Sequence, residues 1–307
     1  MKKIKIEDID KKKYMLIATI ILYLFITIQK TLYYSLYGLT FAHLTEKGKI
    51  ISTICYQIFA ISISIYFYMK NKNKTLEEYK KYIKIAGIGF ATIIVYSLTS
   101  LLEIGIIILT KMDISKMSIT QKSIYLIFCE ALVMTIIAII NKNKLKENIK
   151  NLKKNISEYF TQGLKLYALA LLIMIISNLL ITQITHGIPG NEETIRQTIN
   201  KAPLYMVFSA VFFAPFTEEM VFRNSIKNII QNKYTYIITS GLIFGGLHVI
   251  GNINTIYDLL YIIPYATPGV AFAIILQKTD NVLVPMGIHF LHNGLLMTIQ
   301  IVLMFLH

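Results

Sequence analysis

Long apolar stretches, separated by short polar segments rich in lysine, dominate the chain. A helix needs about 20 predominantly apolar residues to cross a bilayer, and the sequence repeats that pattern about nine times. The predicted spans are 14–37, 50–69, 85–109, 123–140, 164–184, 204–230, 234–250, 257–276 and 282–306. This pattern predicts an all-α fold, a polytopic transmembrane helical bundle of eight or nine spans.

Lysine and arginine are divided unequally between the two sides of this bundle. If successive spans cross in alternate directions, 22 of the 31 basic residues fall on the side of the N-terminus and 7 on the opposite side. Because basic loops remain preferentially in the cytoplasm, we expect a multi-pass protein of the cell membrane with a cytoplasmic N-terminus. The net charge of +14 then reflects topology and contact with the lipid bilayer, and no nucleic-acid partner is predicted.

Composition agrees with a membrane protein. The hydrophobic fraction is 55% and the mean hydropathy is +0.57. Cys55 and Cys129 both lie inside predicted spans, which argues against a disulfide framework. The charged segment before the first apolar stretch is not followed by a small-residue cleavage site, so we expect the first helix to be retained rather than removed as a signal peptide.

Two adjacent carboxylates and an arginine lie inside the sixth predicted span. Ionisable groups at membrane depth are costly unless they are paired or face water, so they indicate a functional site. Glu219 and Arg223 are four residues apart and share a helix face, which predicts an ion pair. Glu218 lies about 100° away around the helix and lacks that partner. We therefore expect Glu218 to be the reactive acid, with Pro215 kinking the helix one turn earlier so that water can enter.

The seventh predicted span carries a histidine among small and aromatic residues. Gly241 and Gly245 are four residues apart and predict a close contact with a neighbouring helix. Phe244 and His248 are also four apart, so the aromatic ring is expected to pack beside the imidazole.

The ninth predicted span carries His289, His292 and Asn293. His289 and Asn293 share a helix face, and His292 lies close to it. A rise of about 1.5 Å per residue brings His289, His248 and Glu218 into the same part of the bundle. We expect these groups to line one cavity.

Two chemistries suit these residue types, and the types alone do not separate them. Glu218 could act as a general base on water, with a histidine orienting that water and His289 and Asn293 stabilising an oxyanion. That arrangement would hydrolyse an amide. In the alternative, His248, His289 and Glu218 would be zinc ligands that leave one position open for water. The His-Glu-x-x-His motif of soluble metalloproteases is absent from the sequence.

Three motifs follow one another on successive apolar segments: Glu218-Glu219-x-x-x-Arg223, Phe244-x-x-x-His248 and His289-x-x-x-Asn293. In this order they resemble the CAAX-protease and bacteriocin-processing family (CPBP, or Abi) of intramembrane endopeptidases. The resemblance covers about residues 200–300, a third of the chain.

The resemblance implies a role for each motif residue. Glu218 would activate water with the assistance of His248. His289 and Asn293 would form the oxyanion site. Glu219 and Arg223 would orient the site. The family was long described as intramembrane metalloproteases, and the CAAX-processing members resemble glutamate-type peptidases without a metal. We therefore expect a hydrolase with no cofactor, zinc being the alternative.

The resemblance also bears on domains and substrate. We expect about five accessory spans in residues 1–200 and a CPBP-type catalytic core of four spans in residues 201–307. The expected partner is a membrane-associated peptide or a prenylated protein, cleaved beyond a prenylated cysteine or at a bacteriocin or signal-peptide leader. Two other functions stay open: a non-catalytic membrane immunity or scaffold protein that retains the protease fold, and a metal-binding transporter.

Overall fold

The computed structural model describes residues 15–17, 19, 20, 22–24, 27, 46–71, 73–251, 253 and 255–306. Ten helices in these ranges are named here in chain order: α1 Glu46–Asn71, α2 Leu76–Ser97, α3 Thr99–Thr110, α4 Ile119–Ile140, α5 Lys142–Thr185, α6 Gly190–Lys201, α7 Pro203–Ile229, α8 Lys233–Ile250, α9 Ile262–Thr279 and α10 Leu283–Leu306. Short 3-10 helices occupy Ile114–Lys116 and Ile256–Tyr261. No strand occurs in these ranges, so the predicted all-α class is confirmed.

The number of spans differs from the prediction. Six segments within the described ranges are long and apolar enough to cross a membrane: Glu46–Asn71, Ile119–Ile140, Lys142–Thr185, Pro203–Ile229, Ile256–Thr279 and Leu283–Met304. Helices α2 and α3 meet at a bend of 54° and would make a seventh if they cross together. Helix α8 forms where a span was predicted but is not among the six, and the predicted span 14–37 lies largely outside the described residues. The count of nine is therefore not confirmed.

Local sequence accounts for several helix boundaries. Helix α4 begins with a capping box, in which the Ser118 and Gln121 side chains each accept a hydrogen bond from the other's backbone N–H. Helix α5 extends over 44 residues and includes most of the basic segment between the predicted spans 123–140 and 164–184. Asn155 interrupts it with non-helical φ and ψ of −128° and 21°. The basic segment and the apolar span are thus one kinked helix.

The described chain forms two compact units. One lies within Met1–Ile85 and Ile250–Leu259, and the other within Ala86–Val249 and Leu260–His307. The second unit holds α4 to α10 apart from the last residue of α8, and therefore every candidate site residue. The predicted boundary near residue 200 stays a prediction.

Helix α5 packs against α9 and α10 within the second unit. Tyr167 of α5 contributes to a buried cluster with Phe272 and Ile275 of α9 and Val284 and Ile288 of α10. The Tyr167 and Phe272 rings stack with centroids 5.2 Å apart. Because these side chains are more than nine-tenths buried, the cluster fixes the distance between α9 and α10.

Helices α8 and α9 approach each other at glycines, as the spacing of Gly241 and Gly245 predicts. A Cβ added at Gly241 would lie 2.3 Å from the Val270 side chain, and one at Gly245 would lie 2.6 Å from the backbone N of Ala266. Real side-chain atoms do not approach so closely, so only glycine permits this packing. The contact confirms the predicted close helix approach.

A polar junction closes one end of the bundle at the turn between α9 and α10. Asp280 accepts hydrogen bonds from Lys227 of α7 at 2.7 Å and from Lys144 of α5 at 3.1 Å. Asn148 of α5 accepts the Val282 backbone N–H at 2.8 Å. Partial burial alone would raise the pKa of Asp280, but the hydrogen bonds and charges of the two lysines outweigh it and lower the pKa.

Candidate active site

Helix α7 holds the two acids and the arginine at full or nearly full burial. Glu219 and Arg223 are both inaccessible to solvent, and Arg223 Nε lies 3.1 Å from Glu219 Oε2. The predicted pairing is therefore present. Glu218 keeps 13% of its side chain exposed. The two adjacent carboxylates thus have different surroundings, as their positions around the helix predict.

His289 of α10 lies between Glu218 and Glu219. Its Nδ1 lies 3.0 Å from Glu219 Oε1, which is hydrogen-bond distance, and its Nε2 lies 3.8 Å from Glu218 Oε2. Glu219 therefore contacts Arg223 through one oxygen and His289 through the other. The contact with Glu219 orients the imidazole and directs Nε2 toward Glu218.

Aromatic rings enclose the Arg223 guanidinium. Its central carbon lies 4.3 Å from the centre of the Phe244 ring and 5.3 Å from that of Phe272. Within the described residues none of its three guanidinium nitrogens makes a hydrogen bond of good geometry. The buried cation is therefore stabilised by the carboxylate of Glu219 and by the two ring faces.

His248 of α8 reaches this cluster through the Phe244 ring. Its Nδ1 lies 2.8 Å from the Phe244 carbonyl oxygen, and because a carbonyl only accepts, Nδ1 carries the proton in this contact. In the neutral ring Nε2 then carries the acceptor lone pair. The imidazole lies between two aromatic rings, with centroids 4.5 Å from Phe244 and 5.1 Å from Tyr265.

Asn293 of α10 is oriented by a backbone carbonyl of α7. Its Nδ2 donates to the Ala210 oxygen at 2.7 Å. Ala210 lies in a π-helical segment, Phe208–Phe213, in which the Ala214 N–H donates to Ser209. The next residue, Pro215, has no N–H. The π-turn and the proline together remove the helical donors from the Ala210 carbonyl, which explains why it accepts from Asn293.

Glu130 of α4 accepts hydrogen bonds from side chains within and just before the same π-helical segment. Its Oε1 accepts the Ser209 hydroxyl at 2.7 Å and the Tyr205 hydroxyl at 3.2 Å. An acid within an apolar helix is thereby provided with donors on α7. These contacts fix Ser209, which directly precedes Ala210.

The structure brings the six predicted residues to one region on three helices. Direct contacts join Glu218, Glu219, Arg223 and His289. His248 is linked to them through Phe244, whose ring centroid lies 6.1 Å from that of His289. Asn293 lies one turn after His289 and bonds to Ala210.

The zinc alternative finds no matching ligand geometry among the described residues. In the part of the chain that the structure describes, no three or more His, Cys, Asp and Glu side chains are arranged to hold a metal ion. The ligand set His248, His289 and Glu218 considered from the sequence therefore has no geometric support here.

Sequence reasoning missed the aromatic residues of α9 and the acceptor on α7. Tyr265 and Phe272 lie against His248 and His289, with the Phe272 and His289 centroids 5.1 Å apart. Two aromatic residues seven apart in an apolar helix ordinarily indicate core packing. Their relation to the histidines depends on helix contacts that the pattern does not contain.

Comparison with known proteins finds similarity to membrane peptidases. Residues 200–295, which include all six site residues, match the family model described as "Type II CAAX prenyl endopeptidase Rce1-like". The "Membrane-embedded CAAX protease MroQ" of Staphylococcus aureus (strain USA300) is 28% identical over 228 residues, covering 68% of this chain and 87% of the relative. The "Putative membrane peptidase YdiL" of Bacillus subtilis (strain 168) is 26% identical over 114 residues, or 36% of this chain and 43% of that relative. No solved structure matches the chain.

The apolar helices and these matches support an integral membrane protein with an intramembrane protease function. They also support the resemblance to the CAAX-protease and bacteriocin-processing family that the three motifs predict.

Proposed function

We propose that this protein is an endopeptidase in which Glu218 activates water to hydrolyse a peptide bond within the membrane. The observation that carries the proposal is the separation of 3.8 Å between Glu218 Oε2 and His289 Nε2. This gap is too long for a direct hydrogen bond and suits a bridging water or a substrate oxygen. Glu219 and Arg223 neutralise each other nearby, so Glu218 is the acid that remains to accept a proton.

His248 would orient the attacking water. Its Nδ1 proton is directed to the Phe244 carbonyl, so the neutral ring presents Nε2 as an acceptor. A water molecule between Glu218 and this nitrogen would donate one hydrogen to each. The oxygen lone pair of the water would then point at the scissile carbonyl.

His289 and Asn293 would stabilise the oxyanion of the tetrahedral intermediate. Glu219 accepts from Nδ1 of His289, so Nε2 can donate to developing negative charge only in a ring that carries both protons, and the proposed mechanism uses His289 in that form. The Ala210 carbonyl takes one hydrogen of the Asn293 amide, and the second hydrogen remains to bind the oxyanion. Both donors are held by contacts formed before substrate binds, which lowers the cost of reorganisation.

Glu218 first accepts a proton from water and later gives it to the leaving group. The water oxygen forms a bond to the carbonyl carbon, and its proton passes to the Glu218 carboxylate. The C–N bond of the peptide then breaks, and Glu218 transfers the proton to the leaving amine. The carboxylate is regenerated, and no cofactor is consumed.

The proposed substrate is a peptide presented at the membrane. The matched family description names a CAAX prenyl endopeptidase, and MroQ is named a CAAX protease. A farnesylated C-terminal peptide is therefore the first substrate to test, and a bacteriocin or signal-peptide leader is the second. In either case the substrate would reach a site formed by apolar helices.

The decisive experiment compares Glu218→Gln with the wild-type chain, each reconstituted in lipid vesicles. Cleavage of an internally quenched farnesylated CAAX peptide, the same peptide without farnesyl and a leader peptide would be followed by fluorescence and mass spectrometry. Because the amide cannot accept the water proton, we expect the rate to fall by at least about a hundredfold. Glu158→Gln is the matched control, since Glu158 is exposed on α5 and contacts Gln162.

Cleavage by the Glu218→Gln protein at the wild-type rate would contradict the proposal. So would a wild-type protein that cleaves none of the three peptides while its Glu218→Ala variant still confers immunity to a bacteriocin. That second result would support the non-catalytic immunity function.

A further inference from the structure

Helix α9 carries none of the three sequence motifs, yet it lies against both histidines of the site. The ring of Tyr265 stacks on His248 with centroids 5.1 Å apart and planes 20° apart. The ring of Phe272 stacks on His289 with centroids 5.1 Å apart and planes 23° apart. In both pairs the planes are nearly parallel, so each ring covers a face of an imidazole.

The two rings share one face of α9. Tyr265 and Phe272 are seven residues apart, which is two turns of an α-helix, so both side chains project toward the same side. Gly269 lies between them on that face. A Cβ at this position would lie 3.1 Å from the Gly241 Cα and 3.2 Å from the Phe244 ring. The face therefore contacts α8 closely enough to control where its side chains lie.

A neighbouring helix packs against the Phe272 ring, and another packs against the backbone next to Tyr265. Phe272 is only 1% exposed, and the Tyr167 ring stacks on it at 5.2 Å with planes 5° apart. Gly245 on α8 meets the Ala266 backbone, directly after Tyr265. The Phe272 ring is thus packed against α5, and the backbone next to Tyr265 is packed against α8.

Rotation of a histidine about its side-chain bonds would displace its nitrogens from the reacting atoms. The Tyr265 ring gives His248 a contact with a second helix, in addition to the Phe244 ring and carbonyl of α8. For His289, the Glu219 carboxylate fixes one nitrogen and Phe272 fixes the plane of the ring. An aromatic face on α9 therefore restricts both imidazoles.

We propose that Tyr265 and Phe272 are positioning residues that hold the planes of His248 and His289. Neither ring is a catalytic residue, because each acts through its histidine. The proposal rests on the proposed function for its kinetic consequence, whereas the ring contacts themselves can be tested without substrate.

The test uses the full chain in lipid nanodiscs with ¹⁵N-labelled histidine. Spectra of His248→Gln and His289→Gln variants assign the two imidazole signals. We expect Tyr265→Leu to move the His248 signals and leave those of His289 in place. Phe272→Leu should do the reverse. Tyr265→Phe keeps the ring and should preserve the His248 signals, and Phe128→Leu, at a ring 57% exposed on α4, is the control.

Peptide cleavage gives the kinetic readout on the same proteins. Because a small displacement of a catalytic group slows chemistry more than binding, we expect Tyr265→Leu and Phe272→Leu to lower kcat by about tenfold or more with KM nearly unchanged. Tyr265→Phe should retain kcat.

The proposal is overturned if both leucine variants leave the histidine signals and kcat at wild-type values. It is also overturned if Tyr265→Phe is as damaging as Tyr265→Leu, since the hydroxyl would then be the functional group. Failure of the water-activation mechanism is distinguishable, because it would appear as an active Glu218→Gln protein while the histidine signals still respond to the ring substitutions.

Discussion

Glu219 contacts two basic side chains while it is completely shielded from solvent. One oxygen faces Arg223 and the other faces His289. A buried ion pair gains little net stability, because desolvation offsets its attraction, but removal of one partner leaves an uncompensated charge. The geometry therefore favours a role in orientation: Arg223 stabilises Glu219, and Glu219 fixes His289.

Removing the Arg223 guanidinium is expected to lower the stability of the protein. In Arg223→Leu, Glu219 remains buried with His289 as its partner, and we expect a loss of stability of about 3–5 kcal/mol. The measurement is thermal unfolding in detergent micelles, with cleavage assayed in parallel.

The double variant Glu219→Gln/Arg223→Leu supplies the control. Its neutral amide oxygen can still accept from His289 without a buried charge, so we expect most of the lost stability to return. Activity should stay low, because a neutral amide supports a protonated His289 poorly. A double variant as unstable as Arg223→Leu would show that the cost lies in lost packing against Phe244 and Phe272 rather than in charge.

At the level of elements, α7 departs from regular helix geometry on both sides of the segment Ala214–Glu218. The π-helical segments Phe208–Phe213 and Glu219–Ser225 flank it. Such π-turns occur frequently at functional sites, because they free backbone groups and reorient side chains. Here the first one, with Pro215, leaves the Ala210 carbonyl to accept from Asn293.

Replacing this proline should loosen Asn293. Pro215→Ala restores an N–H that can compete for the Ala210 carbonyl, so we expect kcat to fall by about tenfold while KM changes little. The cleavage assay measures both. Pro203→Ala is the matched control, because Pro203 begins α7, where a missing N–H costs nothing. Equal activity of Pro215→Ala and Pro203→Ala would refute this role of the proline.

The sequence was sufficient for those parts of the site that depend on one helix. The spacing of Glu219 and Arg223 predicts their contact, and the motif order predicts which helices meet. It did not predict that Glu219 also binds His289, nor that Ala210 accepts from Asn293, because both depend on the rotation of α7 against α10. Nor did it show that the apolar helix α9 contacts His248 and His289, since apolar periodicity does not specify neighbours.

For the whole molecule, the junction at Asp280 connects helices that are distant in sequence. Lys144 begins the long helix α5, and Lys227 lies at the end of α7, beyond the site residues. The Asn281 side chain donates to the Asn148 carbonyl at 2.8 Å, which adds a neutral link between α5 and the turn. The junction therefore sets the axial positions of α5, α7, α9 and α10, on which the contacts of the site depend.

The charge of Asp280 makes this junction sensitive to acid. The folded protein lowers the pKa of Asp280 below its ordinary value of 3.8, so the folded state binds the proton more weakly than the unfolded state does. Its stabilisation is therefore complete above pH 3.8 and disappears as the pH falls through the lower folded-state pKa. Because the Asp280 side chain is 65% exposed, solvent screening limits the contribution to about 1 kcal/mol.

We therefore expect Asp280→Asn to unfold at a lower temperature than the wild-type chain near neutral pH. The difference should narrow as the pH falls below 3.8, because the wild-type carboxylate is then protonated as well. Thermal unfolding in detergent micelles across this range measures the effect, with the exposed Glu193→Gln of α6 as control. Asn tolerates the left-handed backbone of this turn, at φ 47°, so the substitution tests the charge alone, and a difference that stays constant in acid would show that Asp280 does not act through its charge.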